Sequence, residues 1–279
     1  MQATWDKRYS NTRRGLQAST MAQSYFTKGI DPIITLSVRE MGMKCHGALY
    51  IIKGALVLFA VFALSVLTCV VLVPIIGVPL VGTTVMQTLF ILLPLREDYS
   101  ILGLRAVRLT RMIAVFTVAT CIASLLAYAE LHITNSEQFK SPIPGIEQNP
   151  IQYFLIALAL APTGEETLFR GLFLGYMLRH DVNPWLTIIV SATLFSFMHM
   201  LPFHNAPITQ QAFILAIAFL MSIIAGYLRK QTGSLLLAII THVGFNLGEL
   251  YGSYYLYRGF HNIKTRCGFH IDRNTFYKT

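Results

Sequence analysis

Charge is what this sequence has least of: 13% of its 279 residues are Asp, Glu, Lys or Arg, while 54% are hydrophobic and the mean hydropathy is +0.55. Soluble globular domains carry about 25% charged residues, so the scarcity excludes an ordinary cytosolic enzyme and a disordered chain alike. Cysteine is sparse too. Cys45, Cys69, Cys121 and Cys267 make no C-x-x-C pair and no zinc-ribbon spacing, and a thiol inside an apolar run usually acts as a small hydrophobe. The closing Phe-Tyr-Lys-Thr lacks the cysteine four from the end that prenylation requires. No cleavable signal peptide is expected, because the first 47 residues are polar and basic and the first apolar run starts too late for one.

In place of charge there are long uncharged runs: 54–73, 75–95, 112–129, 151–164 continuing to 178, 184–203, 208–228, and 233–248 continuing to about 257. Each approaches the ~20 residues a helix needs to cross ~30 Å of hydrocarbon. Helices close their own backbone hydrogen bonds in lipid. The expected fold is therefore an all-α, polytopic transmembrane helix bundle with seven or eight membrane helices.

The net charge of +9 is a matter of topology and not of nucleic-acid binding, since the Lys and Arg cluster between the apolar runs. Lys7, Arg8, Arg13, Arg14, Lys28, Arg39 and Lys44 make residues 1–47 a basic cytoplasmic segment, expected to be a partly disordered flank held near anionic lipid. With that end inside, Arg96, Arg105, Arg108 and Arg111 also fall inside, as do Arg229 and Lys230, while 130–150 falls outside with Lys140 as its one basic residue. Seven crossings leave the basic tail 258–279 on the wrong side. One segment is then re-entrant or split, with Pro74, Pro79 and Pro162 as candidate breakpoints, or the tail is an exception. The chain divides into that flank, N-terminal membrane helices and loops over 48–149, a C-terminal helical region over 150–257, and the tail. It has no internal repeat or low-complexity tract.

Ionisable groups inside spans cost about 2.5 kcal/mol or more and usually face the bundle interior. After residue 150 they are few: Glu165, Glu166 and Arg170 on one segment, His199 on a second, His242 and Glu249 on a third. Glu166 and Arg170, at i and i+4, stack on one helix face and can pair, which makes them structural support. Glu165 sits ~100° around the helix and is left free for chemistry. His242 and Asn246 repeat the i, i+4 spacing, as do Phe195 and His199. Glu249, at i+7 from His242, is either its orienting partner or a wet position near a helix end. His204 reads as a solvated loop residue. Phe169, Phe195 and Phe245 read as packing, and Gly171, Gly175 and Gly244 as sites of close helix approach. Three helices thus offer a carboxylate, two imidazoles and an amide. A carboxylate beside an imidazole can take a proton from water, and an imidazole with an amide can donate to an oxyanion. Amide hydrolysis uses all four.

The same residues resemble a family. Glu165 to Gly171 reads E-E-x-x-F-R-G, Phe195 to His199 reads F-x-x-x-H, and His242 to Asn246 reads H-x-x-x-N. In that order on membrane helices, they are similar to the CAAX protease and bacteriocin-processing family (CPBP or Abi), whose eukaryotic relatives include the type II CAAX prenyl endopeptidase. The resemblance covers roughly 150–250. It implies an intramembrane endopeptidase in which Glu165 and His199 activate water, His242 and Asn246 bind the oxyanion, and Glu166 and Arg170 hold the helix. The implied partners are the lipid bilayer and a membrane-associated peptide or prenylated protein. The implied location is an integral multi-pass protein, of the plasma membrane if prokaryotic and of the endoplasmic reticulum if eukaryotic.

An alternative reading makes Glu165, His199 and His242 ligands of a catalytic zinc ion. The cofactor-free glutamate mechanism is preferred, because the sequence lacks H-E-x-x-H and because Asn246 is a poor zinc ligand but a good oxyanion donor. Two rivals lie outside enzymology: a non-catalytic immunity or scaffold protein on the same fold, and a transporter using the same groups as a proton relay. For the transporter, no broken-helix pair occurs in corresponding halves.

Overall fold

The computed structural model describes residues 32–76, 79–96, 99–134 and 149–252. Two compact units divide the chain, Met1–Leu49 and Tyr50–Thr279, and all that follows on packing and site concerns the second. The basic residues before position 32, most of the 130–150 loop and the 258–279 tail lie outside the described residues.

Every regular element among the described residues is helical. The described residues form seven principal helices: α1 (Pro32–Ile76), α2 (Pro79–Leu92), α3 (Leu109–Thr134), α4 (the composite 150–179), α5 (Pro184–Met198), α6 (Ile208–Thr232) and α7 (Leu235–Tyr251). A short 3-10 turn (Pro94–Arg96) and a single turn (Tyr99–Leu102) join α2 to α3. α1 begins at Pro32, so residues 32–47, the end of the basic flank, are helical.

Among the described residues, three helices are long and apolar enough to cross a membrane, over Gly47–Ile75, Leu109–Glu130 and Ile208–Thr232. Their outer faces suit lipid: Leu56, Val70 and Ile75 on α1 are 65%, 61% and 74% exposed, a surface that water would not tolerate as one continuous patch. With its long apolar helices, the chain is an integral membrane protein. The apolar run 184–203 yields a shorter helix. α5 has 15 residues and at 1.5 Å per residue reaches only about 22 Å. It stops because Pro202 has no N–H to donate and disfavours helical geometry at the residue before it. The last bonds tighten to His199 N–H on the Ser196 carbonyl (3.0 Å) and Met200 N–H on the Phe197 carbonyl (3.0 Å).

The three candidate breakpoints behave differently. Pro74 is inside α1, which continues past it to Ile76. Pro79 heads α2. Pro162 stands within α4, whose axis runs through Pro150–Leu155, a π segment Ile156–Leu160, Ala161–Glu166, a second π segment Thr167–Phe173, and Leu174–Arg179. The wide turn preceding Pro162 accommodates the ring that an ordinary helical turn would clash with.

Small residues set how closely α7 and α3 approach. A Cβ on Gly244 would lie 2.8 Å from Ala119 Cβ and 2.9 Å from the Phe116 carbonyl oxygen, one on Gly248 would strike the Thr120 carbonyl, and one on Gly252 would lie 2.8 Å from Ala127 Cβ. Ser124 Oγ donates across this seam to the Gly248 carbonyl at 3.2 Å. The glycines repeat at i, i+4, i+8, a stripe along one face of α7. His242 and Asn246 stand two residues away in register, on the opposite face.

The far end of this assembly is tied by backbone contacts. Arg229 Nη2 donates to the Ile101 carbonyl at 2.8 Å, Leu235 N–H to the Gly103 carbonyl at 2.8 Å, and Ser234 Oγ to the Arg105 carbonyl at 2.6 Å. Gly103 (φ 68°) and Gly233 (φ 66°) supply the left-handed turns there. Arg105 and Arg229 thus sit at one end of the helices.

Candidate active site

The first π segment widens α4 around Ala157, whose carbonyl accepts from Asn246 Nδ2 of α7 at 2.8 Å. The next stretch, Ala161–Glu166, carries both glutamates, and the helical rotation between them sends their carboxylates to different neighbours.

Glu166 points into the protein. Its side chain and that of Arg170 are fully buried and pair at 2.9 Å, from Arg170 Nη1 to Glu166 Oε1. Arg170 Nη2 donates to Ser222 Oγ of α6, and its guanidinium lies 4.5 Å from the centre of the Phe195 ring. Phe169, 5.9 Å from the guanidinium, packs beside it as well, and Phe245 is a buried member of the same hydrophobic core. Glu166 has a further partner: its Oε1 is 3.0 Å from His242 Nδ1. A carboxylate paired with a guanidinium accepts, so His242 Nδ1–H donates and the ring's other nitrogen faces away from Glu166. Glu166, and not Glu249, is the carboxylate bonded to this imidazole.

Glu165 points into a cavity. Its side chain keeps 19% exposure, and Oε2 lies 3.9 Å from His242 Nε2. Its Oε1 accepts from Gln87 Nε2 of α2 at 2.9 Å. The cavity is about 350 Å³ and is lined by Glu165 of α4, His199 beside α5, and His242, Asn246 and Glu249 of α7, with apolar walls from α1, α2 and α6 such as Phe62, Phe90 and Ile217.

His199 is the residue immediately after α5, where the closing turn leaves the Phe195 carbonyl without its helical donor. The His199 ring fills that role, Nδ1–H donating to the Phe195 oxygen at 2.9 Å. Both histidines are therefore held by Nδ1, and in a neutral ring so held Nε2 carries the lone pair. His204 is exposed, as a loop residue should be.

The four residues expected to do chemistry, Glu165, His199, His242 and Asn246, come together at this cavity from three elements. Gln87, Ser222 and the Ala157 carbonyl complete the surroundings and carry no charge, so a search for ionisable groups in apolar runs passes over them. An amide inside the run 75–95 is the one signal that points to Gln87. Among the described residues, no three His, Cys, Asp or Glu side chains are arranged to hold a metal ion. The donor set of the zinc alternative, Glu165 with His199 and His242, is not drawn together in that way.

Residues 147–248 match the family described as Rce1-like, type II CAAX prenyl endopeptidase. Over 100 residues the chain is 34% identical to an Escherichia coli protein described as an uncharacterized 24.3 kDa protein, a match covering 35% of this chain and 43% of that relative. The chain thus spans less than half the length of the relative it matches. No solved structure matches it.

Proposed function

We propose that this chain, whose residues 147–248 match the Rce1-like, type II CAAX prenyl endopeptidase family, is an intramembrane endopeptidase of the CAAX protease and bacteriocin-processing kind, acting on a membrane-associated substrate, either a prenylated CAAX-type tail or a bacteriocin- or signal-type peptide. The observation that carries the reading is the convergence of Glu165, His199, His242 and Asn246 on one cavity, with Glu165 Oε2 and His242 Nε2 separated by 3.9 Å. That gap is too wide for a direct hydrogen bond and suits two groups that bind a common oxygen.

The reaction runs without a cofactor. Water held beside Glu165 and His199 loses a proton to Glu165 Oε2 as its oxygen adds to the substrate's carbonyl carbon. Negative charge then builds on the carbonyl oxygen, where Asn246 Nδ2 has a second N–H beyond the one given to Ala157. His242, held through Nδ1 by Glu166, turns its other ring nitrogen toward the cavity and donates Nε2–H to the same oxygen when its ring is protonated. The C–N bond breaks as the proton on Glu165 passes to the departing amine nitrogen. Glu166 and Arg170 hold α4 and orient His242.

Comparing purified wild-type protein with Glu165→Gln on an internally quenched farnesylated CAAX peptide tests this. The substitution keeps shape and removes the base, so cleavage should fall about 10²–10⁴-fold with folding intact. Normal cleavage by Glu165→Gln would end the proposal.

A further inference from the structure

Gln87 lies in α2, outside the segment that matches the family, yet it touches the carboxylate at the centre of the cavity. We infer that Gln87 is a positioning residue for the hydrolysis: its amide N–H holds Glu165 Oε1 so that Oε2 is the oxygen turned toward His242 and water. The inference rests on the proposed role of Glu165.

A free carboxylate has two equivalent oxygens, and rotation about its last bond exchanges them. A single donor on one of them removes that equivalence. Gln87 supplies it at 2.9 Å, while Oε2 is left 3.9 Å from His242 Nε2. One oxygen is thus occupied and the other is available to take a proton.

The backbone is shaped to allow the contact. α2 crosses α4 at Gly164, next to Glu165, where an added Cβ would lie 2.7 Å from Gln87 Oε1 and 2.8 Å from the Gln87 carbonyl oxygen. Only glycine leaves room for the amide at that point. The amide itself is poorly placed for stability. Gln87 is 3% exposed, and among the described residues its Oε1 has no hydrogen-bond partner. A buried acceptor left unsatisfied is a cost, and an apolar side chain of similar length would avoid it. A residue retained only for packing would not carry that burden, whereas one required to direct Glu165 would.

The test compares the full-length protein with Gln87→Met, which keeps length and flexibility but has no N–H, and with Glu165→Gln. On the farnesylated CAAX peptide, Gln87→Met should lower kcat on the order of 10- to 100-fold, the scale of one lost hydrogen bond to a charged group. KM should stay within about two-fold, since substrate binding is untouched, and the thermal midpoint should hold or rise. Wild-type kcat in Gln87→Met beside abolished cleavage in Glu165→Gln overturns this inference alone. Normal cleavage in Glu165→Gln overturns the peptidase reading itself. A measurement independent of turnover supplements these: the Glu165 carboxylate stretch, isolated as the infrared difference between protein with and without Glu165→Gln, should shift when Gln87 becomes Met. An unmoved band overturns the contact whatever the peptide assay gives.

Discussion

Nδ1 of His242 and Oε1 of Glu166 lie 3.0 Å apart, joining α7 to α4 through the oxygen that also accepts from Arg170. One buried oxygen therefore serves two donors on two helices. Glu166 fixes the fold and the aim of an imidazole together, and substitutions there should separate the two effects.

Glu166→Ala strands Arg170 in a dry interior, which should destabilise the protein by about 3–5 kcal/mol, the usual result of removing one partner of a buried pair. Thermal unfolding in detergent would register it. Replacing the pair together, Glu166→Leu with Arg170→Met, should recover most of that stability, because no charge is then left uncompensated. Turnover should stay low in the double variant, as His242 has still lost its acceptor.

His199→Ala should lower kcat by about 10²–10⁴-fold, the range for loss of a proton-transfer group. Its effect on stability should be modest, because the ring gives up one hydrogen bond, to a Phe195 carbonyl near a helix end, and one contact with the Phe195 ring. Cleavage rates normalised to folded protein separate the two quantities.

Asn246→Ala should depress kcat about 10²–10³-fold with little change in KM, as expected for a donor that acts on charge developing in the transition state. A change confined to KM would assign the amide to substrate binding instead.

Incubation with a strong zinc chelator, followed by removal of the chelator–metal complex, should leave cleavage of the farnesylated peptide unchanged. Loss of activity that returns on adding zinc would revive the metal mechanism.

Gly248→Val should cut folded yield sharply, since its Cβ would collide with the Thr120 carbonyl of α3 and overpacking costs about 1–3 kcal/mol or more. Gly47→Val on α1, where an added Cβ meets nothing within 4 Å among the described residues, is the matched control. Size-exclusion profiles of the two proteins would compare them.

Much of this arrangement is legible in the residues alone, because lipid makes ionisable groups too expensive to scatter. Glu166 and Arg170 announce their pairing by spacing, and the long apolar runs announce helices. The Pro202 signal for an early end to α5 is present too, although the uncharged run continues past it. What spacing along one helix does not carry is which helix lies opposite. The bond between Glu166 and His242 spans 76 residues of sequence, and the one between Gln87 and Glu165 spans 78. Gln87 is also neutral, so hydropathy treats it as an ordinary interruption. The two π segments of α4 leave no periodicity of their own in a stretch that is apolar on most sides. Gly248 and Gly252 continue the stripe begun by Gly244, and only the position of α3 gives that repeat a purpose.

The glycine seam between α7 and α3 bears on how small a working version of this protein can be. Histidine and asparagine ride on a rod moored along its back to a helix that precedes the matched segment, and α2 adds the amide beside Glu165. An engineered fragment cut to residues 147–248 would carry the motif letters but neither the mooring nor that amide. A minimal catalyst must keep the two earlier helices as its chassis.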